Sequence, residues 1–131
     1  ATFMFSGVHV VEPSLADLLP AEGCIVRKTY RAMIERGRRL CAVESEAPWH
    51  EISTPAEHLR ANLVLAGDRA VVDPTATVGP GASLIAPSVV GKGATIAAGV
   101  QVRRSVVWDG ARVDRSIDGA IVTPRTTVFA T

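Results

Sequence analysis

VVDPTATVGPGASLIAPSVVGKGATIAAGVQVRRSVV, residues 71 to 107, carries a beat of six. Every sixth residue from Val72 is aliphatic: Val72, Val78, Leu84, Val90, Ile96 and Val102. Four positions beyond each stand Ala76, Ala82, Ser88, Ala94, Val100 and Val106, all small or β-branched. A hexapeptide of this kind forms one short strand and one turn, and three of them close a triangular coil of about eighteen residues. The spacing therefore predicts that each aliphatic residue points inward and stacks on its counterpart one coil away. Small residues fit the corners, and glycines such as Gly79, Gly91 and Gly99 relieve the turns. Burying each aliphatic side chain contributes roughly 1.5 to 3 kcal/mol before entropy is counted, so about three coils hold together. Beyond Val106 the register slips by one residue and continues through Val107, Ala111, Val113 and Ile117, then fades around Gly119 to Pro124.

The composition changes near Gly67, which places one part at residues 1–66 and a β-helix at 67–131. All three histidines, both cysteines and Tyr30 precede that point. The whole chain has 131 residues, enough for one ordinary domain or two small units sharing a core. Its 14 basic and 13 acidic side chains give no excess of either sign, so charge points to neither nucleic acid nor an anionic membrane as a partner. The longest apolar runs fall far short of the roughly 20 residues that span a bilayer, and the first residues carry no basic leader. These features lead us to expect a soluble, cytoplasmic protein. Cys24 and Cys41 form no CxxC pair and are expected as reduced, buried thiols.

Residues 1–66 read as mixed α/β. ATFMFSGVHVV is apolar on both alternating faces, as a strand inside a covered sheet would be, and such a strand needs neighbours. Ser14 is placed to cap a short helix, SLADLLP, that ends at Pro20. KTYRAMIERG predicts a helix with Tyr30, Met33 and Ile34 on one face and a stop at Gly37. LCAVES and WHEI are expected as strands. Thr54, Pro55 and Glu57 then mark a helix start, with Leu59, Leu63 and Ala66 along one face and Gly67 at its end.

The order FSGVHVVEP, CIVRKTYRAMIERG, WHEISTPAEHLRANL and then hexapeptides resembles the C-terminal half of a sugar-1-phosphate nucleotidyltransferase. It is most similar to the mannose-1-phosphate guanylyltransferase and glucose-1-phosphate nucleotidyltransferase group. The resemblance implies a partial α/β nucleotidyltransferase domain followed by a left-handed parallel β-helix, an exception to the usual right-handed crossover. It also implies a reaction in which a sugar 1-phosphate attacks the α-phosphorus of a nucleoside triphosphate, giving a nucleotide sugar and pyrophosphate. Mg²⁺ is the cofactor implied, neutralising developing phosphate charge while the protein positions the reactants. The family's glycine-rich nucleotide loop, with its basic residue and proline, has no counterpart here. GPG at 79–81 and GKG at 91–93 belong to the turns of the repeat. An incomplete enzyme is therefore expected, with a nucleotide-binding half as its partner.

Within WHEISTP the family pattern is Trp-x-Asp-[Ile/Val]-Gly-Thr/Gln-Pro, whose Asp is a Mg²⁺ ligand. Trp49, Glu51, Ile52, Ser53, Thr54 and Pro55 are the matching residues. Glu51 is thus the implied metal ligand, one methylene longer than the family's Asp, and Mg²⁺ tolerates little departure from an octahedron at about 2.0 to 2.1 Å. Ser53 replaces a glycine, which costs energy wherever the backbone needs a positive φ. Arg27 keeps the basic position of its segment and is the implied sugar-phosphate contact, although Val26 and Lys28 stand where the family has acidic residues. His9, His50 and His58 show no metal-ligand spacing and read as structural.

Arg103, Arg104, Arg112 and Arg115 form a basic stretch that reads as a solvated face or as a contact for an anion. No histidine lies in 67–131, which argues against a hexapeptide acyltransferase or a zinc hydratase, both of which use histidine on the β-helix. Uncovered coil ends and faces are natural contact surfaces, so a homo-oligomer is expected, with Val107 and Trp108 at the slip as its contact patch. The competing expectation is a noncatalytic hexapeptide-repeat module serving interaction or regulation.

Overall fold

A computed structural model of the chain describes residues 3–130. The chain divides into two compact units, Ala1–Trp49 and His50–Thr131. The division precedes the compositional change at 66/67 because the helix before Gly67 packs on the repeats that follow it.

The second unit is a parallel β-solenoid of about three coils. Its strands are β1 (Ala70–Val72), β2 (Thr77–Val78), β3 (Ser83–Ile85), β4 (Ser88–Val90), β5 (Thr95–Ile96), β6 (Gln101–Arg103), β7 (Val106–Val107), β8 (Arg112–Val113), β9 (Ile117–Asp118), β10 (Ala120–Val122) and β11 (Thr127–Phe129). They stack in three sheets, β1-β4-β7-β10-β11, β2-β5-β8 and β3-β6-β9. Val72 lies beside Val90, Val90 beside Val107 and Val107 beside Val122, so successive coils take 18, 17 and 15 residues. All of these pairs are parallel, and β11 closes the largest sheet by turning back antiparallel on β10.

Val90, Ile96, Val102, Val107, Val113, Ile117 and Val122 point inward from the three sheets and together fill one core column, with Ala94, Ala111 and Ala120 packed among them. Close packing in this column is what holds the coils, since a two- or three-residue strand has too few ladder bonds to persist alone. The shortening of the coils leaves N–H groups out of step with the carbonyls of the adjacent coil. Two serines meet this need: Ser116 Oγ accepts from Gln101 N at 3.0 Å, and the buried Ser105 Oγ accepts from Ala120 N at 3.0 Å. Arg104, beside Ser105, is the one non-glycine residue with a positive φ (43°) among the described residues. Its guanidinium holds Asp118 through two bonds of 2.7 and 2.8 Å, which fixes this turn.

Helix α2 (Pro55–Ala66) lies on the outer face of the largest sheet. Leu59 joins Val106 and Ile121, with Leu63, Val89 and Ala130 packed around them. The face predicted from the sequence is therefore the face that is used. Gly67, at φ 60°, ends the helix by donating to Leu63 O and Val64 O.

The first unit is helical turns and irregular chain. A 3-10 helix runs Pro13–Leu18, starting one residue before the expected cap because Pro13 fits the first helical position; Glu12 precedes it and makes no side-chain cap. A π-helical turn, Val26–Tyr30, leads into α1 (Arg31–Glu35). The wide turn shifts the helix phase, so Thr29 and Tyr30 are buried while Ile34, expected on the same face, is exposed. Gly37 ends this helix at φ 69°, as expected.

Described residues of ATFMFSGVHVV, and all of LCAVES and WHEI, form no strand. The physical reason is that a strand exists only with a partner to share its N–H and C=O groups, and these segments do not pair with one another. Cys24 and Cys41 are both exposed, not buried, since among the described residues nothing in this unit covers the start of its helical turn or the segment after Gly37. Among the described residues no helix is long and apolar enough to cross a membrane.

Candidate functional site

The residues His50–Glu57 were the sequence's strongest pointer to chemistry, and the helix start explains most of their geometry. Thr54, in extended backbone, caps α2: its Oγ1 accepts from Glu57 N at 3.2 Å and donates to Glu57 Oε2 at 2.9 Å. Glu57 Oε2 also accepts from Ser53 N at 3.0 Å. This is a capping box displaced by one residue, reaching the N–H before the cap. The Thr54 hydroxyl, followed by the Ser53 N–H, holds the Glu57 carboxyl below the usual carboxylate range.

Glu51 lies outside this network. It is exposed, and its Oε1 accepts one bond of 3.2 Å from Ser53 Oγ. Ser53, placed where the family pattern has glycine, does not adopt a positive φ, so the substitution carries no backbone strain here. Among the described residues no three His, Cys, Asp or Glu side chains are grouped as a metal site. One carboxylate offers at most two of the six oxygens of an octahedral Mg²⁺, so these residues alone do not make a site for the ion. Glu51 fits only the share that a single segment contributes where phosphate oxygens, water and another carboxylate complete the shell.

Arg27 belongs to the first unit, exposed on the π-helical turn. The turn directs the backbone N–H groups of Arg27 and Val26 at Cys24, and these hold its thiol below the ordinary cysteine range. Trp49, also in the first unit, donates Nε1–H to Ser6 O at 3.2 Å. A pair that sequence reasoning missed lies nearby in that unit: His9 Nδ1 and Tyr30 Oη are 2.6 Å apart, with Phe5 edge-on to the imidazole. The 21-residue separation of the pair left no local signal in the sequence.

At the slip of the repeat the two expected contact residues separate. Val107 is 1% exposed and sits in the solenoid core, so it cannot form a surface contact. Shortening the coil to 17 residues brings it into the inward column beside Val90. Trp108, next in the chain, remains 47% exposed, its ring 5.8 Å from the His58 imidazole on α2. Of the basic stretch, Arg104 pairs with Asp118 and Arg112 with Asp114.

Fold and residues together define a hexapeptide-repeat β-solenoid with a capped helix on its flank and a single exposed carboxylate just before that helix. No family model matches the chain. It is 32% identical over 124 residues to the mannose-1-phosphate guanylyltransferase of Mycobacterium tuberculosis (strain ATCC 25618 / H37Rv), an alignment covering 83% of this chain. The chain spans about a third, 34%, of the length of that curated relative.

Proposed function

We propose that this chain is the C-terminal portion of a sugar-1-phosphate nucleotidyltransferase, catalytically incomplete by itself, whose β-solenoid serves oligomerisation. The observation that carries this reading is the 32% identity to a guanylyltransferase across most of a chain that contains the repeat solenoid. In this reading the first unit is part of an α/β domain and the solenoid winds left-handedly. A nucleotide-binding half supplies the glycine-rich loop and the second carboxylate, Glu51 gives one carboxylate to Mg²⁺, and Arg27 contacts the sugar phosphate. The bound ion would neutralise charge on the phosphates during attack by the sugar 1-phosphate. Exposed Phe3, Met4, Val8 and Val10 support a partner at the first unit, because a contiguous apolar stretch left in water is costly. A homo-oligomer then uses Trp108 and the outer faces of the solenoid.

The test joins this chain to a nucleotide-binding half and follows Mg²⁺-dependent pyrophosphate release from a nucleoside triphosphate and a sugar 1-phosphate. We expect activity in the joined protein and a fall of at least about a hundredfold on Glu51→Ala, the scale of a lost charge-stabilising group. Unchanged activity in Glu51→Ala would remove the metal role. An intact product of first translation near 13.8 kDa, with no partner carrying a glycine-rich half, would remove the enzyme reading. That outcome leaves the noncatalytic interaction module, which the substitutions at Glu51 and Ser53 favour.

A further inference from the structure

The three stacks of the solenoid end differently at its last coil. β11 covers β10, but β8 and β9 receive no further strand among the described residues. One coil earlier, Thr95 N donates to Ala111 O and Ala97 N donates to Val113 O, both at 2.9 Å. Arg112 lies beside Thr95 and Val113 beside Ile96, so the N–H groups of Arg112 and Asp114 hold the same places one coil on. No carbonyl among the described residues receives either of them. Two adjacent donors therefore project from the open edge.

They open on a cup of about 260 Å³. Its floor is Val113, Ile117 and Val122 from the inward column, and its rim is Arg112, Asp114, Arg115 and Thr127. Arg112 Nε holds Asp114 Oδ1 at 2.6 Å, which neutralises one charge and leaves the other guanidinium N–H groups of Arg112 free to donate. Arg115 makes no ion pair among the described residues, so the rim keeps a net positive charge. Free backbone N–H groups beside a guanidinium are the elements of an oxyanion site.

We propose that this end of the solenoid binds a small oxyanion of the phosphate class, free or as a monoester, through Arg115, the Arg112 and Asp114 amides and the Thr127 hydroxyl. The volume suits a small molecule, and the apolar floor suits the carbon portion of an ester. This site does not depend on nucleotidyl transfer and lies apart from Glu51 in the chain.

The experiment is an amide NMR titration of the full chain with inorganic phosphate, and separately with glycerol 3-phosphate, at about 0.15 M salt. We expect saturable shifts at the Arg112, Asp114 and Arg115 amides, the tighter of the two probes identifying the form preferred. Arg115→Ala should weaken binding about tenfold, the worth of one charge-assisted hydrogen bond, with the remaining spectrum unchanged. Arg103→Ala, an exposed arginine on another face, should leave it as it was. Shifts that rise without saturating, or that fall equally in Arg103→Ala and Arg115→Ala, would show general attraction to a basic surface and overturn the site. Undiminished affinity in Arg115→Ala would overturn it as well.

Discussion

Val102 and Val10 are both valines within apolar stretches, yet Val102 is 0% exposed and Val10 is 100% exposed. The difference lies in where each finds its neighbours. Val102 meets Leu84 and Ile117, its counterparts one coil before and one coil after, because the repeat brings a matching residue round every coil. Val10 has no such counterpart, since the first unit contains no second copy of its stretch. A repeat thus supplies its own core at short range, whereas an apolar segment of unique sequence must wait for a distant partner. In the proposed enzyme that partner is the nucleotide-binding half.

Hydrogen exchange gives the widest separation between the two regions. Amides bonded between coils, such as Gly91 to Val107 O and Ala97 to Val113 O, should exchange at least about a thousandfold more slowly than those of Val8 and Val10. Equal protection would mean that the first stretch is paired in solution, and the comparison would fail.

Core truncation comes next. Ile96→Ala removes a side chain 1% exposed at the centre of the column and should cost about 2 to 5 kcal/mol in denaturant unfolding. Val10→Ala should change stability by no more than about 0.5 kcal/mol. A large loss from Val10→Ala would show that its stretch is packed.

The two helix starts sharpen the same contrast on a smaller scale. Thr54→Ala removes a hydroxyl that both accepts from and donates to Glu57, and should cost about 1 kcal/mol. Ser14→Ala should cost only a few tenths, because Ser14 lies inside its 3-10 helix and makes no cap bond. Thermal unfolding of both variants measures the difference.

Acid titration gives the smallest effect. Glu57 is held below its ordinary value, so its charged form is favoured by folding. Its contribution is therefore fully present above the unfolded value of about 4.3 and is lost as pH falls through the lower folded value. NMR titration of the Glu57 carboxyl should show its midpoint rising in Thr54→Ala. An unmoved midpoint would break the link between cap and charge.

How much was legible follows the range of the interactions. The inward residues from Leu84 to Val102, the cap at Thr54 and the buried face of α2 could all be read, because each depends on spacing within a few residues or on one repeated period. Val72 and Val78, expected inward as well, are 37% and 41% exposed because they belong to the first coil, which is stacked on one side only. Ile34 and the strands expected near the start could not. A π-helical turn altered the helix phase in one case, and in the other the unit offers no strand to pair with. At the candidate site, Glu51 was legible as a carboxylate before a capped helix, while its single bond to Ser53 and the ordinary backbone of that serine are set by the folded chain.

By itself the sequence determined the solenoid, most of its inward residues and the start and end of the flanking helix, since a six-residue period and a capping box are local rules that the chain states outright. The packing of that helix on the solenoid was decided by the fold. Tertiary structure decided the rest. It drew Val107 into the core when the coil shortened, gave Ser105 and Ser116 the N–H groups that the shortening displaced, and left Arg112 and Asp114 as open donors at the last coil. Each of these depends on which carbonyl lies opposite which N–H one coil away, and that register is fixed only when the coils close.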